Sequence, residues 1–179
     1  MIDRLTEAWK GLLDLYIRTS IQPPGGPASA VIWGEADVQL LVAHLLMSSP
    51  GGDLRVHQDV VGFNGLDPVD LVVTDPGPWL AEERAPWAQF TRAAPVDLAA
   101  EIKVVNNRDD HAAVAEDATK LKAILDAGLA REAVLCVLDK TSPPDRALYE
   151  TLEDSSGVLI LRAFDDDLPR TPPARGVGN

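Results

Sequence analysis

Three residues in two short segments have the types and spacing to do chemistry: Asp70 in "VDLVV", and Glu101 and Lys103 in "DLAAEIKVV". Side chains alternate across a strand, so Glu101 and Lys103 share one face, roughly 7 Å apart. Charges in an otherwise apolar strand are costly unless they are paired. If the two segments are neighbouring strands, Asp70 converges with Glu101 and Lys103 at one edge of a sheet. Carboxylates within about 5 Å of one another repel by roughly 3 kcal/mol at an effective dielectric near 20. Mg²⁺ or Mn²⁺ relieves that repulsion, since such ions prefer oxygen ligands and keep water in their coordination shell. A lysine beside them is placed to activate water or to stabilise charge on a phosphorane-like transition state. Those parts, in that order, suit a metal-dependent phosphodiesterase.

The surrounding elements have to position these groups. Leu5, Ala8, Trp9, Leu12, Leu13, Tyr16 and Ile17 fall on one face of a helix over 3–18, which "QPPGGPAS" ends. A second helix is expected from Glu35 to Met47, and the acids Glu35 and Asp37 suit its start. "LRVHQDVVG" alternates like a half-buried strand, "VDLVVTD" reads as a short buried strand, and Asp97–Val105 as a third. A helix over 112–127, the strand "REAVLCVLDK", a helix in "PPDRALYETLED" and the strand "GVLILRAF" follow. Consecutive strands suggest antiparallel pairing, and the later alternation suggests parallel crossovers. The expected class is α/β, a mixed central sheet flanked by helices on both faces. The expected organisation is an N-terminal helix in 1–20, a Pro/Gly linker over 21–34 and one domain over 35–165. That domain carries an insertion at 76–96, and a disordered tail occupies 166–179.

The pattern "VDLVV … EIKVV" resembles the PD-(D/E)XK nuclease superfamily, the restriction-endonuclease-like fold. That family's core runs helix, three strands, helix, strand, and matches residues 35–140 here, somewhat more than half the chain. The resemblance implies that Asp70 is the family's first aspartate and that Glu101 and Lys103 are its (D/E)-x-K element. It further implies a metal held at Asp70, Glu101 and Ile102, with Mg²⁺ or Mn²⁺ as cofactor. Glu35 would be the added glutamate of the first core helix. In the helix after the third strand, Asp117 or Lys120 would join the site, Lys120 on the substrate side. Two departures are visible: Val69 rather than proline precedes Asp70, and the family's basic surface is not evident. Small stand-alone members of the superfamily serve in restriction, phage defence, repair or mobile elements.

The charge balance bounds the partners. The net charge is −12, and Arg55 is the only base between residues 35 and 75. No segment is a basic stripe of the kind that neutralises phosphates, so nucleic-acid affinity should be weak for the chain alone. Arg108, with Arg84 and Arg92 of the insertion, would supply it, or a basic partner subunit would. The rival reading is a non-catalytic acidic protein, an immunity or inhibitor type, that docks on a basic partner. No apolar run is long enough to cross a bilayer. The single Cys136, in "AVLCVL", reads as a buried thiol in a reducing cytoplasm.

Bland uses compete for several residues. Glu101 and Lys103 would form a mere charge pair if they faced solvent on an edge strand. Asp70 could cap a turn, and Lys120 stands four residues after Glu116, at helix-pair spacing. His44 and His57 read as structural, while His111 opens a helix near the proposed site. Trp79, Trp87 and Phe90 read as a hydrophobic cluster beneath a long loop, with base stacking as the alternative. The apolar face of the N-terminal helix suits its own domain or a second copy, and a homodimer would bring one site to each strand of a duplex.

Overall fold

The computed structural model describes residues 1–19, 34–49, 54–61, 68–74 and 95–168. All of the linker but Gly34, the insertion up to residue 94 (with Arg84, Arg92, Trp79, Trp87 and Phe90) and the end of the tail lie outside these residues. The described elements are α1 (Ile2–Thr19), α2 (Glu35–Ser48), β1 (Arg55–Val60), β2 (Val69–Thr74) and β3 (Val96–Val105), then α3 (His111–Asp126), β4 (Ala130–Asp139), α4 (Arg146–Ser156) and β5 (Leu159–Phe164). Short 3₁₀ turns lie at Arg108–Asp110 and Asp165–Asp167. The second of these gives regular structure to the first residues of the expected tail. Val96, taken as the end of the insertion, instead begins β3.

The five strands lie in the order β1-β2-β3-β4-β5. β1–β2 and β2–β3 pair antiparallel, and β3–β4 and β4–β5 pair parallel. The mixed sheet with helices on both faces is therefore as expected. β3 is the middle strand, and Glu101 is buried and Lys103 half-buried rather than facing solvent on an edge.

Side-chain alternation along β3 builds two apolar layers. Leu98, Ala100, Ile102 and Val104 pack with α1 and α2 on one face. Ala99 and Val105 pack with α3 and α4 on the other, and Val96, before the alternation sets in, joins that same layer. The apolar face of α1, open in sequence between its own domain and a second copy, is buried on its own domain. Leu5 and Leu12 are fully buried beside Val38, Val42 and Leu46 of α2. Arg4 bonds the hydroxyl and carbonyl of Ser49, and the Tyr16 hydroxyl donates to Asp165 at 2.7 Å. No described helix is long and apolar enough to cross a membrane.

Local chemistry sets the helix ends near the site. Asp110 accepts from the backbone N–H groups of Asn106 and Asn107, at 2.8 and 3.2 Å, which fixes the turn that starts α3. These bonds hold its carboxyl below the usual carboxylate range. α4 ends at Gly157, whose φ of 69° is the left-handed cap that glycine adopts without strain.

Candidate active site

The site forms where β2 and β3 part. Their pairing runs from Val73–Leu98 to Leu71–Ala100 and stops there. Beyond it, the backbone N–H of Ile102 donates to the Asp70 carboxylate, Oδ2, at 2.7 Å. A side chain has taken the place of a strand as acceptor, and Asp70 is thereby pinned beside β3. The Ile102 carbonyl lies on the same edge of β3 as its N–H. Asp70 is thus no turn cap but a half-buried strand residue aimed at its neighbour.

Glu101 and Lys103 share the face of β3 that packs on α3. Glu101 is 2% exposed. The Lys120 ammonium of α3 forms an ion pair with Glu101 Oε1 at 2.7 Å. Lys120 also donates to the Pro68 carbonyl at 2.9 Å and lies 3.5 Å from Asp117 Oδ1. It turns to the sheet, not to Glu116 at helix-pair spacing. Lys103 lies 3.2 Å from Glu35 of α2 and 3.2 Å from Asp117 Oδ2. It therefore ties the first residue of α2 to α3 across the fork.

Four carboxylates, Glu35, Asp70, Glu101 and Asp117, surround two ammoniums, and the electrostatics follow. Burial, and then the charge of Asp70, push the Glu101 carboxyl up to about 8 against the pull of Lys120. Burial works against the charge on Lys103, but Asp117 and Glu35 outweigh it and hold Lys103 above its ordinary value. Lys120 is likewise raised, with Glu101 foremost in overcoming its desolvation. Both lysines are ammonium ions at neutral pH.

Two further residues complete the site and were not singled out from sequence. Gln39, 8% exposed, donates from Nε2 to the Asp70 main-chain carbonyl at 2.7 Å and to Asp59 Oδ1 at 3.4 Å. It stands one helical turn after Glu35, and a polar residue among Val38, Val42 and Leu46 was the available signal. Asp59 has φ of 50° and interrupts the β1–β2 register opposite Asp70. Strain of this kind in a non-glycine residue concentrates at functional sites.

Other expected residues fall elsewhere. Arg108 is exposed in the 3₁₀ turn after β3 and bonds none of the site side chains. His111 faces a separate buried network instead. Asp139, fully buried, accepts from Thr141 Oγ1 at 2.7 Å and from the Tyr149 hydroxyl at 2.8 Å, and His111 Nε2 lies 3.7 Å from it. That network joins β4 to α4.

The donor chemistry at the fork fits a hard divalent cation. It offers two carboxylates whose mutual repulsion Lys120 only partly offsets, and a main-chain carbonyl on the same edge of β3. Among the described residues, no three His, Cys, Asp or Glu side chains converge as a metal cage. The fit is therefore to a two-carboxylate site completed by backbone and water. No protein-family model matches the chain, and no curated protein or solved structure matches it.

Proposed function

We propose that this chain is a metal-dependent phosphodiester hydrolase, a nuclease of the PD-(D/E)XK type acting on DNA or RNA. The observation that carries the reading is the convergence of Asp70, Glu101 and Lys103 at the β2–β3 fork, on one side of the sheet. Asp70, Glu101 and the Ile102 carbonyl would hold Mg²⁺ or Mn²⁺. The ion would supply Lewis-acid stabilisation of the phosphoryl oxygens and a low-pKa water. Lys103 contributes as an ammonium, not as a base, because its flanking carboxylates favour its charged form. Its donors would orient the attacking water and offset negative charge as the leaving oxygen departs. Glu35 and Asp117 hold the Lys103 side chain extended across the fork. Gln39 fixes the backbone carbonyl of Asp70 and so the aim of that carboxylate.

Cleavage of plasmid DNA and of single-stranded RNA, with Mn²⁺ or Mg²⁺, tests the reading and separates the substrates. Lys103→Ala should lower metal-dependent cleavage about 10²–10³-fold, the size of effect seen when one preorganised donor is removed. Unchanged cleavage by that variant in a clean preparation rejects the assignment.

One observation favours a second reading. Both site lysines are engaged by carboxylates, and the chain carries a net charge of −12. An acidic binding protein built on this fold would capture a basic partner. Its affinity would fall with salt and be indifferent to Mg²⁺ or Mn²⁺.

A further inference from the structure

We infer that Lys120 is a resident counter-cation, seated on Glu101 in the metal-free chain and displaced outward when a divalent ion binds. The inference rests on the metal reading above and concerns how that site is kept ready. Its ground is the geometry of one side chain between two environments. Inward, the Lys120 ammonium lies 2.7 Å from Glu101 Oε1 and 2.9 Å from the Pro68 carbonyl. Its side chain there is only 15% exposed. Glu101 is the more deeply buried partner, so it needs a positive charge whenever it is ionised. A lysine and a divalent ion cannot both hold the same carboxylate oxygen without close like-charge contact.

The outward side is prepared to receive the lysine. α3 presents Ala115, Glu116, Thr119, Lys120 and Ala123 to a shallow surface hollow of about 410 Å³ that is largely open to solvent. The small residues leave room for the side chain. Glu116, four residues before Lys120, is the ordinary helix-surface partner for it. Asp117 Oδ1 is already 3.5 Å from the ammonium. Lys103 has partners of its own, Asp117 and Glu35, and does not depend on Glu101 for its seat. Once outside, Lys120 is a cation beside the site, where a substrate phosphate could meet it. This chain has few other described cations there, since Arg108 contacts none of the site residues.

The test measures Lys120 directly. The full-length chain is pulsed with acetic anhydride, with and without saturating Mn²⁺, and acetylation is read residue by residue by mass spectrometry. Mn²⁺ occupancy is established in parallel by calorimetry. Lys10 and Lys122, both at the surface, serve as internal references. The expected result is about a tenfold rise in acetylation of Lys120 on adding Mn²⁺, with the references unchanged, as a mostly closed seat becomes mostly open. Mn²⁺ binding with Lys120 unchanged or better protected overturns the counter-cation role alone. Absence of Mn²⁺ binding overturns the metal reading, and this inference with it.

Discussion

Glu101 sits where function and stability oppose one another, and replacing it with glutamine measures how strongly. The folded chain holds the Glu101 proton up to about pH 8, against 4.5 for an ordinary glutamate. Because the folded value is raised, the stabilisation is complete below the unfolded value and is lost as pH rises towards 8. At roughly 1.4 kcal/mol for each tenfold difference in proton affinity, the loss is on the order of 5 kcal/mol. Glutamine keeps the size of the side chain and an oxygen for Lys120, but carries no charge to bury. Glu101→Gln should therefore match the wild type near pH 5 and exceed it in stability by a few kcal/mol at pH 9. In urea, with chelator present throughout, that is a rise in midpoint of roughly 1–3 M. A difference between the two proteins that stays constant from pH 5 to 9 refutes the reasoning. So does a variant less stable than the wild type at pH 9, which would mean that the Lys120 ion pair outweighs the cost of burial.

Both tyrosines of the chain donate to carboxylates, Tyr16 to Asp165 and Tyr149 to Asp139, and burial with those neighbours raises both. Absorbance at 295 nm should not show tyrosinate through the ordinary range near pH 10. It should appear together with alkaline unfolding, because stability held below the unfolded value is lost as pH climbs past it. Leu12 lies in the same buried cluster as α2, so Leu12→Ala should cost about 2–5 kcal/mol in urea denaturation. A cost under 1 kcal/mol would show that α1 is only loosely attached. Cys136 is fully buried and its thiol is pushed up by burial, so a thiol reagent should leave it untouched until denaturant is added.

Much of the framework was legible because apolar spacing reports it directly. The alternation through "DLAAEIKVV" placed Glu101 and Lys103 on one face, and the fold set that face against α3. Glu35 was legible as an acid at a helix start, and its link to Lys103 closed over 68 positions of sequence. The partner of Lys120 was not. Helical spacing alone offered Glu116, and only the packing of α3 on β3 favoured Glu101. Gln39 was hidden for a similar reason, since its bond is to a backbone carbonyl and no residue type announces one. Asp59 owes its place to a backbone angle that aspartate tolerates but does not advertise. For His111 the sequence showed only that it opens a helix near the proposed site; its ring turns to Asp139 and stacks edge-on against Tyr149.

The bond from the Ile102 amide to Asp70 has a consequence for observation as well as for chemistry. In the middle of a sheet, an amide's resistance to deuterium ordinarily reports the opening of strands. Here the acceptor is a titratable side chain, and the ladder to β2 has already ended. That single proton is therefore a spectator of the carboxylate next to it. Whatever draws Asp70 away, whether an ion, a proton or a ligand, unlatches the amide while its neighbours along β3 stay locked to β4. The fold thus carries its own probe of the site, readable without substrate and without knowing what the substrate is.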